Sequence, residues 1–181
     1  MKNIAVYCGS GNGRQPIYAE KAKELGQAMA AADCGLVYGG GNVGLMGVIA
    51  DEMVALKKEV IGVIPHALYD RELGHNGITH LYKVDTMHER KALMMKHSDG
   101  FIAMPGGIGT LEELFEVMTW LQLQFHHKPV GILNVAGYYD QLIGFLNHAV
   151  DEAFIRDDLS DLVVHSADPA ELVGMLQARA K

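Results

Sequence analysis

Gly100-Phe101-Ile102-Ala103-Met104-Pro105-Gly106-Gly107-Ile108-Gly109-Thr110-Leu111-Glu112-Glu113 contains a change of period on which the fold turns. Its first five residues are a continuous apolar run, the pattern of a buried strand. From Leu111 onward the apolar residues Leu111, Leu114, Phe115, Met118 and Leu121 recur at helical spacing. Gly106, Gly107 and Gly109 therefore sit where a strand hands over to a helix. Glycines there let backbone N–H groups approach a ligand closely. The helix N-terminus adds about half a positive charge, which suits a phosphate. Glu112 and Glu113 place two carboxylates beside that phosphate cradle. Thr110-Leu111-Glu112-Glu113 also fits a capping box with Glu113 at N3, but a cap does not require three glycines before it.

The same strand–glycine–helix hand-over occurs twice upstream. Ile4–Cys8 reads as a strand, Gly9-Ser10-Gly11-Asn12-Gly13 as a loop, and Pro16 opens a helix through Ala32. Gly35–Tyr38 reads as a second strand, followed by Gly39-Gly40-Gly41-Asn42-Val43-Gly44 and a helix to about Leu56. Val60–Ile64 is a third strand, closed by Pro65. Thr79–Val84 is a fourth, Pro129–Leu133 a sixth, and Leu162–Val164 a short last one before a helix from Pro169 to Ala180. A helix over Tyr138–Ala153 fills the remaining interval. Strands alternating with helices predict an α/β fold, a doubly wound parallel sheet in a Rossmann-like three-layer α/β/α arrangement, with residues 1–181 as a single domain. Ligands in such sheets bind at the carboxyl ends of the strands, where all three glycine loops lie.

The first loop is G-x-G-x-G rather than G-x-G-x-x-G, and the second strand ends in glycines with no acidic residue for a ribose 2′-OH. Both features count against NAD. No Gly-Lys pair is present, which excludes a P-loop. The net charge of −7 argues against nucleic acid as a partner. With 49% hydrophobic and 20% charged residues the composition is that of a soluble globular protein. No apolar run is long enough to span a membrane. Met1-Lys2-Asn3-Ile4 leads straight into a strand, so no signal peptide is expected. Cys8 and Cys34 read as buried thiols in a reducing compartment, and the expected location is the cytoplasm. No His, Cys or carboxylate cluster has metal-ligand spacing, so no metal and no cofactor are expected.

Among the charged residues outside the glycine loops, Arg90 is the most informative. Arg90 lies three residues after Met87 and four before Met94, on their apolar stripe. There it must either extend outward or meet an anion, because an unpartnered desolvated guanidinium is costly. Glu89 reads as the partner of Thr86 in a capping box. Glu72, in the irregular stretch from His66 to Gly77, reads on its spacing alone as a solvated loop charge.

Tyr38-Gly39-Gly40-Gly41 leading to Gly44-Leu45-Met46-Gly47, Met87-His88-Glu89-Arg90-Lys91, and Pro105-Gly106-Gly107-Ile108-Gly109-Thr110-Leu111-Glu112-Glu113 together resemble the LOG (Lonely Guy) family over nearly the whole chain. The resemblance implies hydrolysis of the N-glycosidic bond of a cytokinin riboside 5′-monophosphate, or of AMP, to free base and ribose 5-phosphate. It also implies a homodimer. By position, Arg90 and Glu113 match the family's catalytic pair. Glu72, Lys91, Gly107, Ile108, Gly109, Thr110, Leu111, Glu112 and Thr119 match its nucleotide-binding positions. The chemistry is consistent with these residue types. A ribosyl oxocarbenium ion needs a carboxylate, the attacking water needs a base, and the departing purine needs a donor or a cation. Arg90 and the helix N-terminus are expected to lower the Glu113 pKa and keep it ionised, and Lys91 to add charge at the phosphate. Two other readings compete: a non-catalytic nucleotide-binding module, and a pyridoxal-phosphate lysine decarboxylase, the old label of many relatives, with Lys91 as Schiff base.

Overall fold

Strand β1 (Asn3–Tyr7) is the axis from which the sheet grows in both directions. β2 (Gly35–Tyr38), β3 (Val60–Pro65) and β4 (His80–Val84) follow on one side of it. β5 (Gly100–Ala103), β6 (Val130–Leu133) and β7 (Val164–Ser166) follow on the other. The sheet order is β4-β3-β2-β1-β5-β6-β7, with every pairing parallel. The winding direction therefore reverses between β1 and β5, which opens a crevice at their carboxyl ends. Residues 1–156 and 158–180 are described by this computed structural model.

The helices are α1 (Ile17–Ala31), α2 (Gly44–Ala55), α3 (His66–Tyr69), α4 (Met87–His97), α5 (Ile108–Gln122), α6 (Asp140–Asp151), α7 (Leu159–Leu162) and α8 (Pro169–Arg179). Alternation along β1 assigns each to a face. Ile4, Val6 and Cys8 pack with Leu25 and Met29 of α1, Ile49 and Met53 of α2, and Leu172 and Leu176 of α8. Ala5 and Tyr7 pack with Met94 of α4, Leu114 and Val117 of α5, and Leu146 of α6. Strands buried on both faces read as unbroken apolar runs, which is why five of them were legible in the sequence. Cys8 and Cys34 are buried free thiols.

Several boundaries differ from the sequence reading, among them the helix expected over Tyr138–Ala153, which runs Asp140–Asp151, and three matter most. The fourth strand begins at His80 and is largely exposed, because it forms the sheet's edge. The last strand is Val164–Ser166 rather than Leu162–Val164. Leu159 and Leu162 instead form a one-turn helix capped by the Asp158 carboxylate, and their burial comes from that packing. Most consequentially, α5 starts at Ile108 with Gly107 as N-cap and no side-chain cap. Thr110 is thus inside the first turn and Glu113 one and a half turns along, so the capping-box reading of Glu113 fails. The box at α4 does form: Thr86 Oγ1 accepts from Glu89 N at 3.1 Å, and Glu89 reaches back to the Asp85 amide at 2.9 Å.

Candidate active site

The three glycine loops are bonded to one another at the crevice. Gly9 N donates to Pro105 O at 3.1 Å, and Leu45 N donates to Gly9 O at 3.1 Å. Gly44 has φ +56°, and a Cβ there would collide with the Ser10 backbone, so the second loop reaches the first only because residue 44 is glycine. The third loop is fixed from behind by two phenols. Tyr138 donates to Gly106 O and Tyr139 to Met104 O, each at 2.6 Å. A Cβ at Gly106 would strike the buried Thr110 hydroxyl, whereas Gly107 and Gly109 face open space.

That space is a cavity of about 260 Å³. One wall is the start of α5, from Gly107 to Glu113. Its first N–H groups, on Ile108, Gly109 and Thr110, have no carbonyl of their own helix to bond, and no side chain caps them. The opposite wall carries Arg90 from α4 and Glu72 from the segment after α3. Met46, Met87 and Met94 supply its apolar part.

Arg90 is 6% exposed and meets an anion rather than extending to solvent. Its Nη2 donates to Gly39 O at 3.0 Å and lies 3.9 Å from Glu72 Oε2. A side chain at Gly39 would overlap the guanidinium, so that glycine exists to admit Arg90. Glu72 is not the solvated charge its spacing suggested. Its side chain is 19% exposed and faces the cavity, where Oε2 is buried with no hydrogen-bond partner. Arg90 Nε is a second buried atom without a partner. The pair thus holds one acceptor and one donor that the protein itself leaves unpaired.

The electrostatics of Glu113 run opposite to the sequence expectation. Burial in the cleft pushes its pKa up to about 7, Arg90 pulls it down, Glu112 raises it, Lys91 lowers it and Glu72 raises it. Desolvation outweighs the guanidinium because the carboxylate has lost its water while like charges stand nearby. Burial likewise pushes the Tyr7 and Cys8 groups beside it well above their ordinary values, so both stay protonated.

Eight of the positions expected from sequence line the cavity: Glu72, Arg90, Gly107, Ile108, Gly109, Thr110, Glu112 and Glu113. Leu111 turns away to pack against the apolar core, and Thr119 is exposed farther along α5. The Lys91 ammonium lies between Glu112 Oε1 at 2.5 Å and Glu116 Oε1 at 2.9 Å. Tyr7, Ser10, Gly39 and Met46 also line the cavity; in the sequence they stood only within the first strand and the two upstream glycine motifs and were not singled out as site residues. Among the described residues no group of His, Cys, Asp and Glu could hold a metal ion, and no helix is long and apolar enough to cross a membrane.

A family model described as "Possible lysine decarboxylase" matches residues 46–176. Cytokinin riboside 5′-monophosphate phosphoribohydrolase LOG1 of Arabidopsis thaliana is 48% identical over 177 residues, spanning 98% of this chain and 83% of that protein. Its paralogue LOG3 is 46% identical over 180 residues, spanning 99% and 84%. The probable phosphoribohydrolase LOGL2 of Oryza sativa subsp. japonica is 47% identical, spanning 98% and 72%. Among solved structures, the molybdenum cofactor carrier protein of Chlamydomonas reinhardtii superposes with a TM-score of 0.74 at 18% identity, over 98% of this chain and 97% of that one. A molybdenum cofactor binding protein from Rippkaea orientalis gives 0.73 at 21%, over 98% and 96%. At such identities the likeness is one of fold.

Proposed function

The chain belongs to the LOG family, and from that premise we propose that it hydrolyses the N-glycosidic bond of a purine riboside 5′-monophosphate. The substrate is a cytokinin-type N6-substituted adenosine monophosphate or AMP, and the products are free base and ribose 5-phosphate. The observation that carries this reading is the geometry of α5. Its unbonded N–H groups at Ile108, Gly109 and Thr110 and the Glu113 carboxylate share one cavity, within two turns of one helix.

The 5′-phosphate sits on those N–H groups, and the ribose is thereby held against Glu113. Ionised Glu113 stabilises the cationic C1′ and accepts a proton from the water that attacks it. The C1′–N bond breaks with its electron pair on the purine, which then takes up a proton. Arg90 places positive charge near that departing density. A ribose hydroxyl beside C1′ both accepts and donates, and so satisfies Arg90 Nε and Glu72 Oε2 together. Met46, Met87 and Met94 give an apolar, adaptable wall for a base with or without an N6 substituent.

Lys91 does not fit the Schiff-base role that the decarboxylase description requires. Burial lowers its pKa, but hydrogen bonds to Glu112 and Glu116 together raise it, so the amine stays charged and committed to two carboxylates. A homodimer and a cytoplasmic location complete the proposal. The test is a panel of nucleoside 5′-monophosphates, with released bases resolved by chromatography. Free base from AMP or its N6-isopentenyl derivative is expected. A folded protein that releases none from any purine substrate contradicts the proposal.

A further inference from the structure

Glu72 reaches the cavity from an exposed excursion. Between residues 66 and 80, which leave the sheet after β3 and rejoin it at β4, His75 alone is buried. Its ring is held on both sides. Nδ1 accepts from Gly77 N at 3.1 Å, which leaves the proton on Nε2, and Nε2 lies 2.9 Å from Asp51 Oδ1 on α2. The His75 backbone N–H donates to Gly40 O at 2.9 Å, while Asn42 N donates to Glu72 O at 2.9 Å. Backbone bonds thus join the Glu72 segment to the second glycine loop, whose Gly39 carbonyl receives Arg90, and the imidazole adds the side-chain tie to the helix that begins at that loop. An apolar side chain could fill the same space, but it would leave Gly77 N–H and Asp51 without this link.

We propose that His75, anchored by Asp51, is a positioning residue that sets the Glu72 carboxylate against Arg90 and the substrate ribose. This role rests on the phosphoribohydrolase reading of the cavity. His75 touches no reacting atom. It acts by holding the Glu72 acceptor at the reach from Arg90 that a ribose hydroxyl can bridge, and displacement of a positioning group by about 1 Å costs about a hundredfold in rate.

The test is a double-mutant cycle on kcat/KM for base release from AMP, with melting temperatures recorded for every variant. His75→Ala is expected to lower kcat/KM about tenfold to a hundredfold. His75→Gln should recover much of the loss, because its amide nitrogen can donate to Asp51 in place of Nε2. His75→Asn, which preserves only the Gly77 contact, should not. In a Glu72→Gln background, adding His75→Ala should cost less than about threefold, because the residue it positions is already disabled. Asp51→Ala carries the same cycle from a side chain that is 66% exposed, and so serves if His75→Ala folds poorly. Near-normal kcat/KM in His75→Ala, or an undiminished loss in the Glu72→Gln background, would overturn the proposal. The cycle is also read in ribose 5-phosphate binding by calorimetry, which needs no turnover. A wild type without hydrolase activity would then sink the hydrolase reading while the His75–Glu72 coupling is still measured.

Discussion

At the residue scale the balance of forces on Glu113 makes the sharpest claims. Glu113→Gln is expected to reduce turnover at least about a hundredfold with the fold intact, as checked by initial rates and circular dichroism. Because the ionised carboxylate is the working form, kcat/KM should rise with pH through about 7, the value to which burial lifts this group. The substrate phosphate titrates near pH 6, so the step belonging to Glu113 is the one that the residual activity of Glu113→Gln lacks. Stability should move the other way. The folded state holds this proton more tightly than the unfolded chain, so the wild type loses stability as pH rises from the ordinary carboxylate range through about 7. Glu113→Gln removes that loss. Its melting temperature should exceed the wild type's at pH 8 and match it below about pH 4, the difference being at most on the order of 3 kcal/mol and smaller because the group is partly exposed. An equal difference at both pH values contradicts the assignment. Arg90 was noticed in the sequence because a guanidinium on an apolar stripe must extend outward or meet an anion, and the fold decides for the anion. Glu72 was not legible on spacing alone, since nothing in an exposed-looking loop reveals that a backbone bridge between Gly41 and Gly74 folds it over the cavity.

At the element scale the start of α5 separates what a helix needs from what a ligand needs. The three glycines and the change of period were legible, and with them a helix that starts at the crevice. The true N-cap was not, because Thr-x-x-Glu satisfies a capping rule that the tertiary structure does not use. Instead the Thr110 hydroxyl is buried against Gly106, and Gly107 takes the cap position. Gly109 lies inside the helix, and a Cβ there meets nothing within 4 Å. Gly109→Ala should therefore stabilise the fold by about 0.5–1 kcal/mol through helix propensity. Its methyl would enter the space assigned to the phosphate, so KM for AMP should rise at the same time. A higher melting temperature with unchanged KM would show that the phosphate lies elsewhere. The last strand was misplaced for a related reason: Leu162 is apolar enough for either element, and the Asp158 cap draws it into a helical turn, so the strand starts only at Val164.

At the scale of the whole molecule the parallel sheet was legible because buried strands and amphipathic helices have different periods. The strand order was not, since no single strand states its neighbours. That order places β1 beside β5, and it is the reason three distant loops share one crevice. The surface carries a further expectation. Phe115 (37% exposed), Leu123 (56%) and Phe125 (74%) lie on or just past α5, with Met87 (43%) at the start of α4. This is more exposed apolar surface than two helices of a lone subunit need. A symmetric homodimer through these helices is expected by light scattering at micromolar concentration, and Phe125→Glu should shift it toward monomer. A wild-type monomer removes that part of the proposal. The central claim is that the glycine-rich start of α5 uses the substrate's phosphate to present C1′ to Glu113, so that binding energy at one end of the substrate is expressed in the transition state at the other. The most direct measurement is kcat/KM for AMP against adenosine, and for the N6-isopentenyl derivatives of both. Several charge-assisted contacts of about 1.5–3 kcal/mol each are absent in the nucleoside, so a deficit of about a thousandfold or more is expected, visible in kcat as well as KM. Equal efficiency with and without the phosphate would contradict it.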